Sequence, residues 1–240
     1  MRLHKKLLGA GVGALVAGCL GMSATATAAF PNFSDCPRGS LYCVDVQSTG
    51  GSMDIKGFRV PLGDSLNIRG GLVSPDGSQV VFTPPAGTNG FFSKSIQVPG
   101  GLLGIDFPLP GNAVRATAKL AGPPSAIKIG LDDFSLRMPM KLELRNPLIG
   151  PWCQIGSDRN PVTVNLHIAR FGTPDFPAGG GLLLYGNTHV DSTFSIPGAS
   201  NCGLTLGLID ALVNAKLRLP SSSGNNTITI DNNFGFVPGS

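Results

Sequence analysis

Charge is scarce in this chain, and glutamate is almost missing. Only 13% of the 240 residues are charged, about half the usual quarter, and Glu143 is the sole glutamate. A polar surface must therefore be made mainly of Ser, Thr, Asn, Gln and Gly. The shortage also thins out acid–base chemistry, because Asp132-Asp133 is the only adjacent carboxylate pair. It follows Ile129-Gly130-Leu131, where a turn uses such residues as local backbone acceptors. Phosphate-binding glycine loops are missing: there is no G-x-x-x-x-G-K-[ST], and no G-x-G-x-x-G between a strand and a helix. No G-x-S-x-G elbow carries a nucleophilic serine. No fixed-period repeat exists, which excludes a solenoid or propeller. Beyond the first 22 residues no apolar run approaches the roughly 20 residues a membrane-spanning helix needs.

That first stretch reads as an export signal over residues 1–28. Arg2, Lys5 and Lys6 form a positive start, and Leu7 to Met22 is almost uninterrupted apolar sequence. Ala26-Thr27-Ala28 offers a small-x-small cleavage site, giving a mature chain from Ala29. Val16-Ala17-Gly18-Cys19 is the alternative, a lipobox-like sequence that leaves a lipidated Cys19 at the membrane. Three of the 18 basic residues lie in the signal and none of the 14 acidic ones, so 15 basic residues face 14 acidic ones afterwards. The sequence pI of about 8.9 is thus largely a property of the signal. The remaining cations are scattered singly, without interleaved aromatics, and do not form a nucleic-acid surface.

The mature length suits one large all-β domain over 29–240, and the composition shift ending near 111 marks a candidate sub-boundary. Thirty-four glycines and 20 prolines in a chain that is 42% apolar read as punctuation between short strands rather than disorder. CVDVQS, SMDIKGFRV and SLNIRGGLV alternate apolar with polar, with Gly50-Gly51 and Leu62-Gly63-Asp64 as hairpin connections. In MKLELRN, Met140, Leu142 and Leu144 oppose Lys141, Glu143 and Arg145, which predicts a half-buried strand. VTVNLHIAR, LLLYGNTHVDSTFSIPG and NTITI add more. The stretch NPLIGPWCQIGSDRN, with Trp152 and Cys153 among turn residues, reads as a stapled corner between two strands. One helix is predicted over Leu204 to Leu217, with Asn201 as cap, Pro220 as stop, and Leu204, Leu208 and Leu212 buried. The fold class is mainly β: an antiparallel β-sandwich or open barrel with one helix in the C-terminal half and two disulfides.

Four cysteines survive cleavage, Cys36, Cys43, Cys153 and Cys202. An even count in an exported chain implies disulfides in one of three connectivities. Cys36 and Cys43 enclose only six residues and can pair locally, which leaves Cys153 and Cys202 as a long-range clamp. That spacing, with His167 and His189 remote from both pairs, does not fit a zinc site. Asp158 with Asn160, and Asp231 with Asn232 and Asn233, are oxygen clusters that Asx turns explain without calcium. The sequence implies no metal and no cofactor.

From Asn146 onward, NPLIGPWCQIGSDRNPVTVNL, VDSTFSIPGASNCG and LIDALVNAKLRLPSSSGNNTITI resemble a group of actinobacterial exported proteins of uncharacterised function. Their shared pattern is NPL-x-G-x-x-C-x-IGS-x-x-NP, PGA-x-x-CG and an acidic residue opening a late helix. The resemblance covers about the last hundred residues and implies Gram-positive export and a Cys153–Cys202 pair, with no activity attached.

Three functional expectations follow, in order. The first is a non-enzymatic structural or binding protein of the cell surface or medium. The second is a carrier of apolar ligand or lipid, with Phe91, Phe92, Leu102 and Leu103 as a pocket rim. The third is a hydrolase with a dispersed site at His189 and Asp191, with Ser192 or Ser195 as nucleophile. Alternation places His167 with Asn165 and Ala169 toward solvent, and both histidines read as structural.

Overall fold

A computed structural model of the chain describes residues 30–77, 79–103, 110–130, 133–203 and 207–239. The signal segment, the lipobox-like Cys19, Asp132 and Leu204 lie outside the described residues. The strands of the N-terminal half are β1 (Tyr42–Ile55), β2 (Phe58–Pro61), β3 (Leu66–Val73), β4 (Val81–Thr83), β5 (Phe91–Ser93) and β6 (Ile96–Gln97). Then come β7 (Arg115–Leu120), β8 (Ser125–Ile129), β9 (Phe134–Arg145), β10 (Gln154–Ile155) and β11 (Val162–Arg170). The chain finishes with β12 (Thr173–Asp175), β13 (Leu182–Asp191), β14 (Ala199–Ser200), helix α1 (Leu208–Leu217) and β15 (Asn226–Pro238).

The strands form one antiparallel sheet in the order β14-β10-β9-β11-β13-β15-β1-β3-β4, with the remaining strands pairing along its edges. It curls into a half-barrel, the open-barrel form of the expected fold, with the two expected disulfides. Strands from both sides of residue 111 share the sheet, since β6 pairs β7 and β1 pairs β15. At the seam β4 and β8 lie against each other, and no ladder joins them among the described residues.

Alternation explains which side chains enter the barrel. In β9 the even residues Phe134, Met138, Met140 and Leu144 are buried, and in β11 so are Val162, Val164 and Leu166. β1 is different, because its inward residues are Val44 and Val46 near its start and Met53 and Ile55 near its end. A β-bulge between Ser48 and Gly50 inserts the extra residue that shifts the parity. Gly50-Gly51 therefore lies inside one long strand and is not a hairpin connection. Gly51 has φ of 107°, and a Cβ there would sit 2.1 Å from the Thr229 carbonyl oxygen. The hairpin turn comes later, at Lys56-Gly57, where both residues have positive φ.

The last strand is longer than NTITI. Asp231, Asn232 and Asn233 continue the ladders with β1 and β13 instead of forming an Asx turn. β15 thus runs between β1 and β13 through the middle of the sheet.

One end of the barrel is closed by α1 and by the Cys153–Cys202 disulfide. The helix is shorter and rotated relative to expectation: Gly207 is its N-cap, and Leu208 is 72% exposed while Leu212 is also exposed. Val213 and Leu217 are buried instead, with Ile209 packed beside them. The reason is polar. Asp210 accepts a hydrogen bond from the Cys202 backbone N–H at 2.7 Å, and Asn214 exchanges two bonds with Ala199. Residues 209, 213 and 217 lie on the arc next to 210 and 214, while 208 falls on the opposite side of the helix. The acidic residue that opens the helix is therefore an anchor to the disulfide corner. In that corner Ile149 and Cys153 are buried, whereas Trp152 is 77% exposed and plays no part in pinning it. Asn146 does that work, donating to the carbonyls of Gly111 and Ala113 and accepting from the Leu148 N–H.

The outer face of β1 is covered by the segment before it. Asn32 donates its N–H to fully buried Asp45 at 2.7 Å, Asn67 and Gln47 donate as well, and the Cys36–Cys43 disulfide holds the segment to the strand. Burial outweighs these bonds and pushes the Asp45 carboxyl above its usual range.

Candidate functional site

At the other end the barrel interior is not filled. A cavity lies between the walls formed by β1, β3, β9, β13 and β15, bounded at the seam by Phe82 on one side and Pro124, Ile127 and Ile129 on the other. Its cavity volume is about 80 Å³, within about 800 Å³ of atom-free space that includes the solvent at its mouth. It is a narrow slot rather than a chamber. Its lining is apolar except for Ser48, Ser135, His189 and Asn232. Phe134 stands edge-on to Phe234 at 4.3 Å and to the His189 ring at 5.3 Å.

A second bulge, between Leu184 and Asn187, sets what enters the slot from β13. Leu184 points inward before it, and His189, opposite Ile230, points inward after it. His189 is 3% exposed, and burial pushes its pKa down to about 4, with the nearby Asp133 charge acting weakly upward. It is a neutral imidazole at ordinary pH. Its tautomer follows from its neighbour. The Asn232 amide nitrogen lies 3.2 Å from the Ile230 carbonyl oxygen, which can only accept, so the nitrogen side of the amide is assigned. That nitrogen also meets His189 Nδ1 at 2.8 Å, so Nδ1 accepts and the ring proton sits on Nε2. His189 Nε2 and Asn232 Oδ1 are both buried, and neither has a hydrogen-bond partner among the described residues. The two adjacent side chains in the slot wall therefore carry one buried donor and one buried acceptor that are unmet among the described residues.

The expected hydrolase residues are not brought together. Asp191 Oδ2 accepts from the Asn165 N–H, and its Oδ1 accepts from the N–H and hydroxyl of Thr193, each at 2.7 Å. Ser192 and Ser195 are exposed on the far side of that turn. A second His-Asp-Ser set occurs at the surface, where exposed His167 lies 3.4 Å from Asp133 and Ser135 donates to the same carboxylate at 3.0 Å. The carboxylate stands between the two, so the imidazole does not reach the hydroxyl as a general base must.

The other candidates separate as well. Phe91 lines the slot, but Phe92 lies under the Arg69 guanidinium at 4.6 Å, Leu102 packs against the closed end, and Leu103 is exposed. Asp158 accepts from Lys141 Nζ at 2.7 Å, and Asp231 from the Thr188 hydroxyl at 2.8 Å. Among the described residues no three His, Cys, Asp or Glu side chains group as a metal site. The residues missed from sequence are Asn232, Phe134 and Phe234. The alternation in ITIDNNFGF marks Asn232 and Phe234 as inward residues of a strand, and Phe134 shares the inward parity of Met138 and Met140 in β9.

Fold and site together define a disulfide-bonded half-barrel with an internal apolar slot. The chain matches no family model, no curated protein and no solved structure.

Proposed function

We propose that the chain is an exported, non-enzymatic binding protein that holds an apolar ligand in its half-barrel. The observation that carries this reading is the slot itself, a largely apolar space lined by strands from both halves of the sheet. A sequence selected only for stability fills such space, because each unfilled methylene-sized gap costs about 1 kcal/mol. Export is supported by the two disulfides, which persist in oxidising compartments, and by the signal-like start of the chain. The resemblance of the last hundred residues to exported actinobacterial proteins points the same way. Among the described residues no helix is long and apolar enough to cross a membrane.

The test is solvent extraction of the oxidised protein recovered from culture medium, with mass spectrometry of the extract, beside a titration with 1,6-diphenylhexatriene as a slender neutral apolar probe. The reading expects a recurrent apolar compound near one equivalent per chain, and saturable probe binding. Extracts without such a compound, together with absent probe binding, would overturn it.

A further inference from the structure

We infer that the disulfide corner at the closed end docks on an anionic lipid surface, where Arg115 and Arg145 take a lipid phosphate while Leu148 and Trp152 enter the edge of the acyl layer. Docking by this end leaves the mouth of the slot free and does not depend on what the slot holds.

In the β7–β9 ladder Arg115 lies directly opposite Arg145. Facing residues of an antiparallel pair have Cβ atoms about 5 Å apart, and like charges placed so repel. Little offsets them here. Among the described residues Arg115 forms no ion pair, and Arg145 reaches only Glu143, at 3.6 Å through an exposed guanidinium. The two arginines border an open recess of about 500 Å³ whose other walls come from Ala113 and the turn 146–151. That turn is fixed. Asn146 bridges to Gly150, its amide donates to the carbonyls of Gly111 and Ala113, and the Gly203 N–H donates to the Ile149 carbonyl. A guanidinium pair beside a fixed recess offers forked N–H donors that match a phosphate.

A free phosphate accounts for the cations and leaves their surroundings without a role. Leu148 and Trp152 follow Pro147 and Pro151 of the recess wall, and both are exposed although the next residues, Ile149 and Cys153, are buried. Asp210 ties the first turn of α1 to the same corner, and that turn adds exposed Leu208. Apolar side chains raised on tight turns suit a deformable acyl layer, which needs no matching pocket. An indole, with an apolar body and one N–H, favours the headgroup boundary. Cations beside such side chains are what an anionic leaflet attracts.

Trp152 is the sole tryptophan, so its emission reports docking directly. Oxidised protein recovered from culture medium is titrated with vesicles of phosphatidylcholine alone and of phosphatidylcholine mixed with phosphatidylglycerol, with vesicle sedimentation beside the fluorescence. The expected result is a blue shift on the anionic vesicles and about 30-fold weaker binding to the neutral ones, the effect of two cations near an anionic surface. Arg115→Gln with Arg145→Gln should remove that preference with the thermal melt unchanged or raised. Trp152→Ala, followed by sedimentation, should weaken binding to anionic vesicles about tenfold. The wild-type vesicle pair decides the matter if a variant does not fold. Emission unshifted by either vesicle overturns the inference, as does a preference for anionic vesicles that the double arginine variant retains. Arginine side-chain resonances that respond to inorganic phosphate, with no vesicle binding, would make the recess a free-anion site instead. Dimers that Trp152→Ala dissociates, again with no vesicle binding, would assign the face to a second copy of the chain.

Discussion

The two ends of the half-barrel are built from the same strands and solved differently. At the closed end the interior is filled by the later part of β1, the later part of β9, β10 and the Val213–Leu217 stripe of α1, with the Cys153–Cys202 disulfide across it. At the open end Val44, Leu72, Phe82, Phe134, Leu184 and Phe234 form a separate aromatic-rich cluster around unfilled space. The helix and the long-range disulfide both sit at the end away from the slot. Unmet buried polar atoms do not separate the two ends, since His189 Nε2 and Asn232 Oδ1 lie beside the slot while Ser221 Oγ and Asn226 Oδ1 lie beside Ile196 and Ile55 of the closed-end core. If the proposed binding role holds, the difference teaches that stability and binding in the slot are carried by opposite ends, so variants at one end should act on one property.

The largest expected effect is loss of the closed-end clamp. Cys153→Ser with Cys202→Ser opens a loop with a sequence separation of 49 and should lower stability by about 4 kcal/mol in a denaturant titration. The Cys36–Cys43 pair, with a separation of 7, should cost about 2.5 kcal/mol on the same chain-entropy scale. An equal loss from both would remove the contrast between clamp and local staple.

Within α1 the comparison sharpens to neighbouring residues. Leu217→Ala should cost about 2 to 5 kcal/mol, because Leu217 is buried at the closed end. Leu208→Ala should stay within about 0.5 kcal/mol, since Leu208 is exposed. Reversed magnitudes would mean that the helix docks by the Leu208–Leu212 stripe after all.

At the slot, pH is the probe. His189 titrates near pH 4 when folded and near the ordinary 6.5 when unfolded, so between these values the unfolded chain binds more protons. Stability should be fully present above about pH 6.5, fall as pH falls, and level off below about 4, for a loss of about 3 kcal/mol. Asp45 acts in the opposite sense, since its raised pKa favours the folded state toward low pH. The clean measure is therefore the difference between wild type and His189→Gln, which should lose that part of the slope. Parallel pH profiles would place His189 in water.

Much of this was legible in the sequence and some was not, for identifiable reasons. Strand content followed from alternation such as Met140, Leu142 and Leu144, and the disulfide pairs followed from cysteine parity and a six-residue spacing. Which residues face inward in β1 and β13 did not follow, because the bulges at Ser48/Gly50 and Leu184/Asn187 each reverse the alternation partway along a strand. The rotation of α1 was hidden because two apolar stripes lie side by side in LIDALVNAKL. The choice between them is made by Asp210 and Asn214 bonding to Cys202 and Ala199, partners that only the fold brings near. His189 was read as structural; in the fold its ring meets Asn232, while Asp191 accepts from Asn165 and Thr193. Its place in the slot required Asn232, which sequence reading had assigned to a turn.

The central claim is that the open end is a site and not a packing fault, and a cavity-filling substitution tests it most directly. Val46 lines the slot and is only partly buried. Val46→Phe adds volume there without touching the closed end, and diphenylhexatriene titration with a thermal melt on the same sample reads both properties. The account predicts at least tenfold weaker probe binding with the melting temperature unchanged or raised. Undiminished probe affinity in a folded Val46→Phe protein would contradict it.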